Sequence, residues 1–145
     1  MAATIDAFVD RVRTRGAPLG VTVSRWGRSH RRSPNILQVT GPSGRILLYA
    51  KARGPGKGFW GLNPNQLAAL RGAGHPSHVA LLRMDDETGY LLDRSAIDSG
   101  IAMFWHPGHD GEYKVNQDGN LESLAFPQHF LELEHAILGF VGAAG

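Results

Sequence analysis

The sequence predicts a mixed α+β fold, with a mixed β-sheet built on a helix–three strands–helix–strand core and flanked by helices. Three observations carry this reading. Apolar residues recur at helical spacing at both ends of the 145-residue chain, at Ile5, Phe8, Val9 and Val12 and again at Phe130, Leu133, Ile137 and Phe140. Short runs with strand character lie between them at hairpin spacing. A helix with clear start and stop signals separates the third run from the fourth. Sequential strands flanked by helices make a sheet covered by helices.

The first helix is expected over about Thr4 to Arg15, where Gly16 and Pro18 end it. Val21 and Val23 alternate with Thr22 and Ser24 and mark the first strand. Ile36 to Thr40 and Arg45 to Ala52 are the second and third, joined into a hairpin by the turn Gly41-Pro42-Ser43-Gly44. Asn63-Pro64-Asn65-Gln66 opens a helix: Asn63 can cap it, Pro64 suits its first position and Gln66 can reach back. Gly72 stops that helix. Val79 to Arg83 and Gly89 to Leu92 read as strands around the acidic turn Asp85-Asp86-Glu87, and Asp93 can cap a short helix ending near Gly100. Ile101 to Trp105 and Glu112 to Val115 are expected as edge strands, and a last helix from near Pro127. The chain is expected to be one domain over residues 1–141, with its core over about 4–92, a C-terminal part over 101–141 and a flexible tail at 142–145.

The charge is divided between the halves. Residues 1–72 hold twelve basic and two acidic residues, a formal +10, and residues 73–145 hold three basic and eleven acidic ones, a formal −8. A basic half predicts a polyanionic partner, DNA or RNA, reached through long-range attraction that salt weakens. The other reading is that the halves pack together and neutralise each other. The absence of cysteine excludes disulfides, thiol catalysis and cysteine-held metals, and fits a reducing, cytoplasmic setting. No apolar run is long enough for a signal peptide or a membrane span, so no membrane partner is expected.

Two basic segments carry the candidate chemistry. Arg25, Arg28, Arg31 and Arg32 surround Trp26 in the first, and a solvated turn is the plainer reading of it. Lys51, Arg53 and Lys57 stand beside Trp60 in the second, a glycine-rich stretch just before a helix start. Cations and helix N-termini bind phosphate, and aromatic rings stack on bases. The plainer reading here is a surface connection in which Trp60 plugs the core. The spacing is not that of a phosphate-binding Walker loop. The pairs His75/His78 and His106/His109, the latter beside Asp110, have spacings compatible with a metal, but neither pair sits on a defined helix. Asp6 and Asp10 lie four apart on one helix and read as a solvated flank.

The order helix–three strands–helix–strand, with a lysine at the end of the third strand, resembles the restriction-endonuclease-like PD-(D/E)XK nucleases over about Thr4 to Leu92. Pro34-Asn35 stands where that family has Pro-Asp, and Tyr49-Ala50-Lys51 where it has acid-x-Lys. The resemblance implies catalytic positions at Asn35, Tyr49 and Lys51, and magnesium or manganese if the chain is a metal-dependent phosphodiesterase. Both family acids are replaced. An asparagine carbonyl holds a hard cation less strongly than a carboxylate, and a tyrosine ligates only as phenolate, against its usual pKa near 10. The reading is therefore a nucleic-acid-binding protein on a nuclease-like core. Two alternatives stand beside it: a nuclease with a relocated acid, and a protein-interaction module such as a charge-complementary homodimer.

Overall fold

The computed structural model describes residues 2–26, 36–53, 59–83, 85–116 and 121–143. Helix α1 (Ala2–Gly16) precedes strands β1 (Thr22–Arg25), β2 (Ile36–Gly41), β3 (Gly44–Arg53) and β4 (Phe59–Leu62). Helix α2 (Pro64–Gly72), strands β5 (Ser77–Arg83) and β6 (Thr88–Leu92) and helix α3 (Arg94–Ser99) follow. Strands β7 (Tyr113–Asn116) and β8 (Gln128–His129) lead into helix α4 (Phe130–Phe140).

Six strands form the main sheet in the order β1-β2-β3-β5-β6-β8. The β2–β3 hairpin turns at Gly44, whose φ of 147° is closed to residues with a side chain, and pairs Gly41 with Gly44 as the turn signal predicts. β3 and β5 are the parallel pair, with Tyr49 opposite Val79 and Arg53 opposite Arg83. A parallel pair needs a crossover, and α2 lies within it. Its start is as read from the sequence: the Asn63 side chain accepts the N–H groups of Asn65 and Gln66, and Pro64 opens the helix. The Asp93 carboxylate likewise accepts the Ala96 N–H to start α3.

The sheet is covered on both faces. On one, Phe8, Val9 and Val12 of α1 and Leu133, Ile137 and Leu138 of α4 pack on Val39, Leu48, Ala50, Ala80 and Leu82. On the other, Leu67 and Leu70 of α2, Ile97 of α3 and Trp60 and Leu62 of β4 pack on Leu47, Tyr49, Val79, Leu81 and Tyr90. Glu134 of α4 is 1% exposed and binds two arginines of α1, with Arg11 Nε at 2.5 Å and Arg15 Nε at 2.9 Å. Arg11 also reaches Glu87 at 3.1 Å.

Four expectations are corrected. Residues Ile101 to Trp105 are not an edge strand: the chain continues from α3 through a π-helical turn over Gly100–Phe104, closed by the Trp105 N–H on the Gly100 carbonyl at 2.7 Å. The edge strand expected at Glu112 to Val115 does form, as β7, and it pairs with β4 in a separate two-stranded sheet. The last helix begins at Phe130, because Gln128 and His129 pair with β6. Its Phe140 is 44% exposed and outside the core, stacked on the His78 ring at 4.2 Å. The chain also stays packed past residue 141. Ala143 is buried and donates its N–H to the Leu138 carbonyl at 2.9 Å, while 144–145 lie outside the described residues.

Replacing Glu134 by alanine removes the shared partner of Arg11 and Arg15. Loss of a buried carboxylate from such a pair costs about 3–5 kcal/mol when both partners are enclosed. These arginines are partly solvated, so a loss of about 2–3 kcal/mol is expected in urea unfolding. Arg15→Ala/Glu134→Ala should lose less than the two single losses together.

Burial holds the His78 pKa below the ordinary histidine value, an effect that the charge of Asp93 partly offsets. Its Nδ1 is enclosed with no hydrogen-bond partner among the described residues. The unfolded chain therefore binds a proton at His78 more readily than the folded one. Stability is expected to be complete above the ordinary value and to fall as the pH drops through it. His78→Phe should flatten that limb of a stability-against-pH curve measured with urea.

Candidate nucleic-acid interface

Strand register gathers the flanks of both basic segments at one end of the main sheet. β1 ends at Arg25, opposite Leu37, and the Trp26 N–H bonds the Ile36 carbonyl at 3.1 Å. Ile36 pairs with Tyr49, and β3 runs on four residues to Arg53. Arg53 pairs with Arg83, so the turn at Asp85, Asp86 and Glu87 stands at this end too.

Side chains alternate along β3. Leu48 and Ala50 face α1 and α4, while Tyr49 packs on the face that holds β4 and α2, and Lys51 and Arg53 follow it there. Tyr49 is buried, and its hydroxyl accepts the Asn63 N–H at 3.2 Å. Burial raises its pKa; the Asn63 hydrogen bond opposes this and the nearby Glu112 charge adds to it. Tyr49 is therefore a neutral phenol packed into the core, at the position where the resemblance implied a catalytic residue. Lys51 is half-buried and makes no hydrogen bond or ion pair with the described residues. The Arg53 guanidinium lies over the Trp60 ring, 4.8 Å from its centroid.

The stacking role expected of Trp60 is corrected. It is 1% exposed, donates its indole N–H to the Leu82 carbonyl at 3.1 Å and meets Tyr90 edge-on. Its faces are closed to a stacking base, and its place is under Arg53, which it orients. Trp26 is half-buried against the same core. Arg25 is exposed and, two residues on, shares the strand face of Val23, which faces α1, so it stands on the other face from Lys51 and Arg53. Asn35, Arg28, Arg31, Arg32 and Lys57 lie outside the described residues.

Asp6 and Asp10 are exposed on α1, and Asp10 pairs with Arg13 at 2.9 Å. Glu112, which sequence reasoning missed, lies against the bare backbone of Gly61 and acts electrostatically on Tyr49. Nothing local marks Glu112; only the pairing of β7 with β4 brings it there. Among the described residues no three His, Asp or Glu side chains gather as a cation cage, the histidine pairs included. Among the described residues, one carboxylate beside a neutral phenol offers a divalent ion fewer charged oxygens than it takes.

No protein-family profile matches the chain, and no curated protein matches it. Among solved structures, it is similar to the Holliday junction resolvase Hjc of the archaeal hyperthermophile Archaeoglobus fulgidus. The TM-score is 0.52 at 12% identity, over 89% of this chain and 98% of that one. The fold is thus restriction-endonuclease-like, as the helix–three strands–helix–strand order predicts. No helix among the described residues is long and apolar enough to cross a membrane.

Trp60→Ala is expected to cost about 3–5 kcal/mol in urea unfolding, the range for a large buried aromatic. Trp60→Phe keeps the ring under Arg53 but leaves the Leu82 carbonyl without its donor, and should lose about 1–3 kcal/mol.

Proposed function

We propose that this chain binds nucleic acid, DNA in the first instance, through the end of the sheet that carries Lys51 and Arg53, and that it binds without cleaving. The carrying observation is the state of β3. Its lysine stands unpaired among the described residues, beside an oriented arginine, and the residue in the acid position is a buried neutral tyrosine. Two cations on one rigid strand can neutralise two phosphates. The similarity in fold to a Holliday junction resolvase supports DNA as the polyanion. Among the described residues no donor set for a magnesium or manganese ion gathers, and no cleavage step is assigned. The homodimer reading has lost part of its basis, since Arg11, Arg15 and Arg71 already pair with acids of the second half within one chain.

The test is fluorescence anisotropy of labelled duplex, single strand and four-way junction across a salt series, with EDTA and then manganese. Salt-sensitive binding without cleavage is expected. Lys51→Ala/Arg53→Ala should weaken it at least tenfold at low salt and flatten the salt slope by about two, one per lost phosphate contact. Binding unchanged by the double substitution would refute the proposed face. Manganese-dependent cleavage lost in Lys51→Ala would overturn the non-catalytic reading and turn attention to Glu112.

A further inference from the structure

Arg83 has no role in the site as described, yet it stands beside Arg53. The two are register partners on adjacent parallel strands. Arg83 continues the alternation of Val79 and Leu81, which face the same side as Tyr49. Its side chain is only 21% exposed, and its Nε is enclosed without a hydrogen-bond acceptor among the described residues. Its charge is met by the turn that follows: an Asp86 carboxylate oxygen lies 3.0 Å from one terminal nitrogen, and an Asp85 oxygen lies 3.9 Å from Nε.

That turn is fixed in place. Glu87 takes a left-handed conformation with φ 53°, unusual for a residue with a side chain. Its carbonyl accepts the Phe130 N–H of α4 at 2.9 Å, and its carboxylate binds Arg11 of α1. The Thr88 hydroxyl donates to Asp86 at 2.7 Å. Both aspartates remain open to water, with side chains 68% and 44% exposed. A guanidinium donates to carboxylate and phosphate oxygens through the same N–H groups, and its fork matches either one bidentately.

We infer that Arg83 is a third phosphate-binding cation of the Lys51/Arg53 face, and that the carboxylates of Asp85 and Asp86 hold its guanidinium until a phosphate of the bound nucleic acid displaces them. This rests on the nucleic-acid reading above and adds to it an acidic guard. The guard lowers affinity for any polyanion that cannot place a phosphate at Arg83. It therefore favours a strand whose backbone runs across the ends of β3 and β5 over a diffuse anion.

The experiment is a salt-series anisotropy titration of a labelled 20-base-pair duplex. It compares the full chain, Asp85→Asn/Asp86→Asn, Arg83→Ala, and the triple combination, with Lys51→Ala/Arg53→Ala alongside. Freeing Arg83 should tighten binding about three- to tenfold at low salt and steepen the salt slope by about one, the mark of one more neutralised phosphate. Arg83→Ala should cancel that gain. An equal gain with and without Arg83 would show general relief of repulsion and overturn the inference. So would no gain at all, provided Lys51→Ala/Arg53→Ala still weakens binding, which leaves the underlying reading intact. If that double substitution changes nothing, the nucleic-acid face itself fails and the inference with it. Thermal melting checks that each variant is folded, and Arg83→Gln replaces Arg83→Ala if the alanine variant melts early.

Discussion

Everything at the candidate interface depends on the double burial of β3. From Ile46 to Ala50 this strand is enclosed on both faces, and it carries the parallel partner β5 on one edge and the hairpin partner β2 on the other. A strand so placed tolerates apolar residues almost throughout. Polar groups belong where it leaves the layers, and there the sequence changes from Ile-Leu-Leu-Tyr-Ala to Lys-Ala-Arg. Rigidity and charge therefore meet at one point. Lys51 and Arg53 extend from a strand paired on both edges, so the backbone ordering needed to present them is already met on folding.

The divided charge has two uses. Part of it joins the halves: Glu134 draws Arg11 and Arg15 onto α4, Glu87 adds a second hold on Arg11, and Arg71 of α2 pairs with Asp98 of α3. These are bonds of the fold. Arg25 and Lys51 have no acid partner among the described residues, and the Arg53 charge rests on a ring. Internal neutralisation and attraction of a polyanion are then not rival accounts. On the proposed reading they apply to different residues, sorted by whether the helices or the sheet end carry them.

The fold was legible wherever a local signal has a local cause. The Asn63-Pro64 start, the Gly41–Gly44 turn and the apolar spacing of α1 each read correctly, because capping, turn geometry and helical period are properties of a few neighbouring residues. Misreadings arose where a distant contact decides. Ile101 to Trp105 has strand-like composition, but Gly100 lets the Trp105 indole close over it and the chain stays helical. Trp60 beside three cations suggested a stacking ring, and its burial follows from β4 folding back over β3, which no short window contains. Ala143 looked like tail because its partner, Leu138, lies five residues back around a left-handed Gly142. Glu112 carried no signal at all.

Tyr49, where the resemblance implies an acid, bears on the proposed binding as well as on metal chemistry. A carboxylate two residues before Lys51, on the same face, would sit close enough to cancel much of the lysine's field in a half-buried setting. A neutral phenol cannot. Its hydroxyl is occupied by the Asn63 N–H, and the burial that keeps it protonated also keeps it in place. A tyrosine at this position therefore offers a cation no charged ligand and, on the proposed reading, leaves the charge of Lys51 to phosphate. The two aspartates at Arg83 do the reverse one strand away, where a carboxylate is retained and a cation is held. On adjacent strands the sheet end thus presents one cation with its counter-charge removed and one with it supplied. If the proposed face binds nucleic acid, that contrast would make affinity depend on where a phosphate falls, and not only on how many phosphates there are.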